Sequence, residues 1–167
     1  MIENVTAAKC VEFAHRTEEI GAELYQALAR KFASDRELGE LFEGLGRDEV
    51  QHGELIRALR DRVAARLGDR PLPAEQRDYL RAMSMAEIFS GEKGLAANLD
   101  GIKTRDDGLE RALHLEKATL AYYQAMREVV GADEILDALI AVEKKHVVKV
   151  MQLLITGAKF RGLADSF

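Results

Sequence analysis

Four segments of this chain repeat apolar residues at helical spacing. Each is broken near its middle by a glutamate, or by a glutamate and a histidine. The stripe Leu136, Leu139, Ile140, Val147, Val150, Leu154 contains Glu143 and His146. Leu38, Leu41, Phe42, Leu45, Ile56, Leu59, Val63 contains Glu49 and His52. Ala14, Gly21, Tyr25, Leu28, Phe32 contains Glu18, and Leu109, Leu113, Leu120, Tyr123, Met126, Val130 contains Glu116. Apolar residues at this period line one face of an amphipathic helix, so all six polar groups point at a helical core.

The expected fold is all-α, with helices over about 6–33, 35–67, 105–130 and 134–156. Ser34 and Glu37 have the spacing of a capping box, Gly68 suits a C-cap, and Asp133 is a natural N-cap. Helices one and two join almost without a loop, as do three and four, and short connections make antiparallel neighbours. Residues 69–103 are too long for a turn. They are expected to hold a short helix around Ala74–Phe89, with Met83, Met85 and Phe89 packing over the bundle, then a Gly-rich return. Two hairpins joined by such a crossover form a four-helix bundle with helices two and three parallel. At 167 residues, one domain over 1–167 is the default.

The two hairpins repeat each other. TEEIGAELY…RDEVQHGEL and HLEKATLAYY…AVEKKHVV each read Glu, then Glu-x-x-His, and Tyr25 and Tyr123 each follow their glutamate by seven residues. Glu18 and Glu49 lie about fifteen residues either side of the first turn, which at ~1.5 Å per residue puts both ~22 Å from it. Glu116 and His146 are placed alike about the second turn, so the six groups share one level.

Four buried carboxylates at one level repel, and burial of isolated charge is prohibitive. Two divalent cations neutralise four carboxylates and leave two imidazoles neutral. The i, i+3 spacing puts each Glu and His on one face. Glu49 and Glu143 can then bridge the metals, while His52, His146, Glu18 and Glu116 each ligate one. A hydrogen-bonded core network without metal is the competing reading. Tyr25 and Tyr123 are either plain core or donors to the site carboxylates. His15, His114, Glu19, Glu23 and Glu54 read as surface.

The remaining composition narrows the setting. A formal charge of −5 argues against nucleic acid or an anionic membrane as partner. No apolar run approaches the ~20 residues of a membrane span. MIENVTAAKC lacks a signal peptide's basic region and apolar core, which gives a cytoplasmic expectation. Cys10 is the sole cysteine and reads as a buried small apolar residue.

As a set, EFAHRTEEIGAELYQALA, LFEGLGRDEVQHGELI, ALHLEKATLAYYQAM and LIAVEKKHVVKVMQLL resemble the rubrerythrin-like branch of the ferritin-like superfamily. The resemblance implies a ferritin-like four-helix bundle around two iron ions per chain, with Zn or Mn as substitutes. The iron ligands would fall on Glu18, Glu49, His52, Glu116, Glu143 and His146; Tyr25 and Tyr123, read from their spacing as donors to that site, are the candidate catalytic residues beside it. It implies reduction of hydrogen peroxide or dioxygen, with ferrous oxidation or non-catalytic metal binding as alternatives, and a homodimer. Rubrerythrins carry a rubredoxin domain with four cysteines. This chain has one, so a peroxidase reaction here implies an external electron donor. Thr119 stands where rubrerythrins have a further glutamate, and EKKH replaces their Glu-x-x-Glu-His. The ligand set is therefore closer to that of bacterioferritin-type ferroxidase centres.

Overall fold

The computed structural model describes residues 5–83 and 99–164. Among these the chain is all-α, with no strand: α1 (Ala7–Lys31), α2 (Arg36–Leu67), α3 (Ala74–Met83), α4 (Arg105–Val130) and α5 (Glu134–Ala164). None of the helices described is long and apolar enough to cross a membrane.

The helix ends follow local chemistry. Thr6 Oγ1 accepts from the Lys9 N–H at 3.3 Å and caps α1. Thr104 and Asp107 form a reciprocal capping box at the start of α4. Gly68 and Gly131 end α2 and α4 with φ of 64° and 84°, a region costly for residues with a Cβ. Asp133 opens α5, its Oδ1 accepting from the Ile135 N–H at 3.0 Å.

Several boundaries differ from expectation. The cap of α2 is Asp35, not Ser34: its Oδ1 accepts from the Leu38 N–H at 3.1 Å. Glu37 instead pairs with Arg105 across the bundle end. α1 stops at Lys31, two residues before Ala33. α5 runs through Gly157 to Ala164, so that glycine ends nothing. The crossover helix is described only to Met83, which is 40% exposed rather than packed over the bundle. Met85, Phe89 and most of the Gly-rich return lie outside the described residues.

Four long helices contact one another in a ring: α1 with α2, α2 with α5, α5 with α4, and α4 with α1. Residue pairs give the directions. Tyr25 meets Glu116 and Tyr123 meets Glu18, so α1 and α4 run antiparallel. Asp48 meets His146 and Arg62 meets Glu134, so α2 and α5 do too. With short turns inside each hairpin, α2 and α4 are parallel, as expected. α3 packs on α4 and buries Leu80.

The core falls into two apolar clusters. One gathers Ala7–Ala14 of α1, Ile56–Val63 of α2, Tyr122–Val130 of α4 and Leu136–Ile140 of α5. The other gathers Leu24–Leu28, Leu38–Leu45, Leu109–Leu115 and Val150. Between them, every long helix contributes polar residues. The buried face of α4 is wider than its expected stripe. Leu115, Thr119 and Tyr122 are buried, while Leu113 and Leu120 are half-buried. Contacts with α1, α3 and α5 cover α4 from several sides, so no single stripe describes it.

Candidate metal centre

The layer between the clusters holds Glu18, Glu49, His52, Glu116, Glu143 and His146, all at most 5% exposed. Their atoms fall into two groups. Glu18, Glu49, His52 and Glu143 each offer a ligand atom within 4.8 Å of the others, and so do Glu49, Glu116, Glu143 and His146. Glu49 and Glu143 belong to both. The structure thus brings all six residues singled out in the sequence into one cluster.

The distances within it are short. His52 Nδ1 lies 2.9 Å from Glu143 Oε1, 3.3 Å from Glu18 Oε2 and 3.6 Å from Glu49 Oε2. His146 Nδ1 lies 3.3 Å from Glu116 Oε2 and 3.6 Å from Glu143 Oε2. The two imidazole rings stack, with centroids 5.5 Å apart. Despite this proximity, Glu18 Oε2, Glu116 Oε2, both Glu143 oxygens and both Nδ1 atoms lack an aligned hydrogen-bond partner. Close but unaligned donors and acceptors mean atoms that converge on a shared space rather than on each other. Buried polar atoms are seldom left this way, because each costs about 1–3 kcal/mol. Hard carboxylate oxygens with imidazole nitrogens form a donor set suited to divalent metal ions, and this one is positioned to hold such an ion.

The other carboxylate oxygens are held from outside. Tyr25 donates its hydroxyl proton to Glu116 Oε1, and Tyr123 donates to Glu18 Oε1. Both rings are fully buried. Of the two readings of these tyrosines, the geometry selects the one in which they are donors to the cluster. They sit a turn or two along the neighbouring helix, in matching places in the two hairpins.

Protonation follows from this crowding. Burial pushes Glu116 up to about 8, and the negative field of Glu143 adds to that against the pull of His146. Burial, then the neighbouring Glu18 charge, holds Glu49 well above the ordinary carboxyl range. Glu143 goes the other way: burial would raise it, but His146 and His52 pull it down to about 2. Burial disfavours charged imidazole, yet the carboxylates raise His52 to about 9 and His146 to about 10. Without a cation the cluster therefore holds protons, and a metal ion would displace them.

One participant escaped the sequence reading. Asp48 Oδ2 lies 3.1 Å from His146 Nε2, on the side of the ring away from the cluster. Asp48 directly precedes Glu49 and lies outside the apolar stripe of α2. Its carboxylate is in fact part-exposed, so nothing in the periodicity marks it. His15 also departs from expectation. It is half-buried, and its Nε2 accepts from Arg57 Nε at 2.8 Å. His114, Glu19, Glu23 and Glu54 are exposed, as expected. Cys10 is buried, and burial pushes its thiol up to about 11, out of reach of a reactive thiolate at neutral pH.

No family model, no curated protein and no solved structure matches this chain.

Proposed function

We propose that the buried cluster holds two divalent metal ions, iron in the working protein, and that the chain is a rubrerythrin-like, ferritin-fold oxidoreductase reducing hydrogen peroxide or dioxygen. The observation that carries this reading is the set of buried, unpartnered carboxylate and imidazole atoms on four helices. Glu49 and Glu143, which belong to both ligand groups, would be shared between the two ions. Glu18 and His52 complete one half, and Glu116 and His146 the other. Bound iron would supply the electrons and the Lewis acidity needed to reduce an O–O bond.

The chain's own residues would do the rest. The two apolar clusters close the layer above and below, which lowers its polarity and strengthens the electrostatic interactions inside it. Tyr25 and Tyr123 fix Glu116 and Glu18 by holding a proton on one oxygen of each, leaving the other free to ligate. Asp48 takes the Nε2 proton of His146 as a hydrogen bond and so leaves the Nδ1 lone pair facing inward. Reduction of peroxide to two waters consumes two protons and two electrons, and a donor protein or small reductant would return those electrons to the site.

Ferrous oxidation is the second reading. It is favoured by buried Thr119 at the place where a further carboxylate would be needed for rubrerythrin-type ligand exchange.

The deciding experiment is metal content by elemental analysis, on protein purified without added metal and again after anaerobic Fe(II) loading. Two irons per chain, lost in a Glu49→Ala/Glu143→Ala variant, are expected. Peroxide and oxygen consumption by the loaded protein then separates the two reactions: repeated turnover without iron accumulation marks a reductase. No binding above background in either preparation would overturn the reading and leave the cluster as a protonated core network.

A further inference from the structure

The six residues look symmetric, but their surroundings are not. Each hairpin supplies Glu, then Glu-x-x-His, and in each a residue directly precedes the bridging glutamate. In the first hairpin it is Asp48; in the second it is Val142. Asp48 reaches across to the outer nitrogen of His146, at 3.1 Å. Val142, its counterpart in the repeat, has no group that could hold the outer nitrogen of His52. The carboxylates that approach His52, from Glu18, Glu49 and Glu143, all do so at Nδ1. A carboxylate on the outer N–H fixes the tautomer and ring orientation of a ligating imidazole and makes it a better donor. Among the described residues, only the His146 half has this support.

Access differs in the same sense. A cleft of about 150 Å³ opens between α1 and α2, and Glu18 and Glu49 form its inner wall. Gly53 leaves room in it: a Cβ there would stand 3.8 Å from His15 Nε2 and 3.9 Å from Glu18 Cβ, with no clash. His15, Val50 and Arg57 line its outer part. The ligands themselves are about equally buried, Glu18 at 1% and Glu116 at 0%, His52 at 4% and His146 at 5%, so the cleft beside Glu18 and Glu49 is what distinguishes the first half.

We propose that the two halves of the centre are inequivalent: the Glu116/His146 half takes and retains a divalent ion first, and the Glu18/His52 half, beside the α1–α2 cleft, loads second and exchanges with solvent. This rests on the metal-centre reading above. Asp48 is then a positioning residue for one half, and Gly53 keeps the door of the other half open.

The test is an anaerobic titration of the metal-free protein with Co(II), read by calorimetry and by the visible d–d bands, with chelator extraction as a second readout. Wild type should bind two Co(II) in two resolved steps and release them in two phases. Asp48→Ala should weaken the first step by about 10–100-fold and leave the second unchanged. Asp48→Asn, whose amide oxygen still accepts from Nε2–H, should fall between. Val142→Asp should strengthen the second step. Gly53→Val should slow only the fast phase of extraction. Two equal steps in wild type, with neither altered by Asp48→Ala, would overturn the inequivalence and leave the metal centre standing. Absence of Co(II) binding in wild type would overturn the centre itself and the inequivalence with it. Should Asp48→Ala lose helicity, Val142→Asp decides: an unchanged second step sinks the proposal.

Discussion

Glu49 and Glu143 occupy equivalent places in the two hairpins, yet their surroundings part them. Glu49 is buried among like charges, and burial and then Glu18 raise it well above the ordinary carboxyl range, whereas Glu143 lies between both histidines and is pulled down to about 2. Glu49→Gln keeps the volume of a side chain whose charged form burial disfavours. It should leave the metal-free Tm within about 3 °C, a change under ~1 kcal/mol for a chain this size. Glu143→Gln removes the carboxylate that stands within 3.6 Å of both imidazoles and should cost about 1–3 kcal/mol. Thermal unfolding in chelator measures both, and metal analysis should find binding lost in each. Tyr123→Phe removes the donor to Glu18 Oε1, leaving a buried acceptor unpaired. It should cost about 1–3 kcal/mol in the metal-free protein while two metals still bind.

Among the helices, glycines separate packing from propensity. Gly108 lies under Phe32, and a Cβ there would stand 2.8 Å from Phe32 Cε2. Gly108→Ala must displace that ring, and overpacking of this kind costs about 1–3 kcal/mol, offset by up to ~1 kcal/mol of helix propensity. Gly39 lies in α2 with only the Phe32 carbonyl at 3.8 Å. Gly39→Ala should therefore stabilise by about 0.5–1 kcal/mol. Opposite signs in urea denaturation check the pair. The hairpin ends are pinned by charged groups: Arg105 pairs with Asp35 and Glu37, and Arg66 Nη2 donates to the Val130 carbonyl at 2.6 Å. These groups are part-exposed, so they align the ends more than they stabilise them.

For the whole molecule, metal and protons compete for one layer. Glu116 has a folded value of about 8 against an ordinary 4.5, so its burial costs stability that grows as pH rises from about 4.5 to 8. His52 and His146, raised to about 9 and 10, contribute stability that is fully present below about 6.5 and lost as pH rises through those values. Glu143, lowered to about 2, contributes stability above about 4.5 that is lost as pH falls toward 2. The metal-free protein should therefore be most stable near pH 5 and weaken steadily toward pH 10. Metal binding must displace the same protons, so the rise in Tm on loading should grow between pH 5 and 8. Parallel melting curves with chelator and with Co(II) test this. A metal-free optimum at pH 8 would contradict the assigned protonation of the cluster.

The sequence alone determined the helices and the level at which their polar residues meet. Periodicity names the buried face, and a rise of ~1.5 Å per residue converts spacing from a turn into height. Glu18, Glu49, His52, Glu116, Glu143 and His146 were legible for that reason, and so were the ends at Gly68 and Asp133, whose chemistry is local. Where two neighbours could each serve locally, as Ser34 and Asp35 could at the start of α2, spacing did not choose, and the position of Arg105 across the bundle end bears on the outcome. Contacts between elements lie outside any one helix period. Only the tertiary structure placed Asp48 against His146, opened the cleft at Gly53, spread the buried face of α4 beyond its stripe, and set Glu143 rather than Glu49 between the two imidazoles. Each depends on which side chain a different helix presents at that height, and that information is carried by the packing of four helices together.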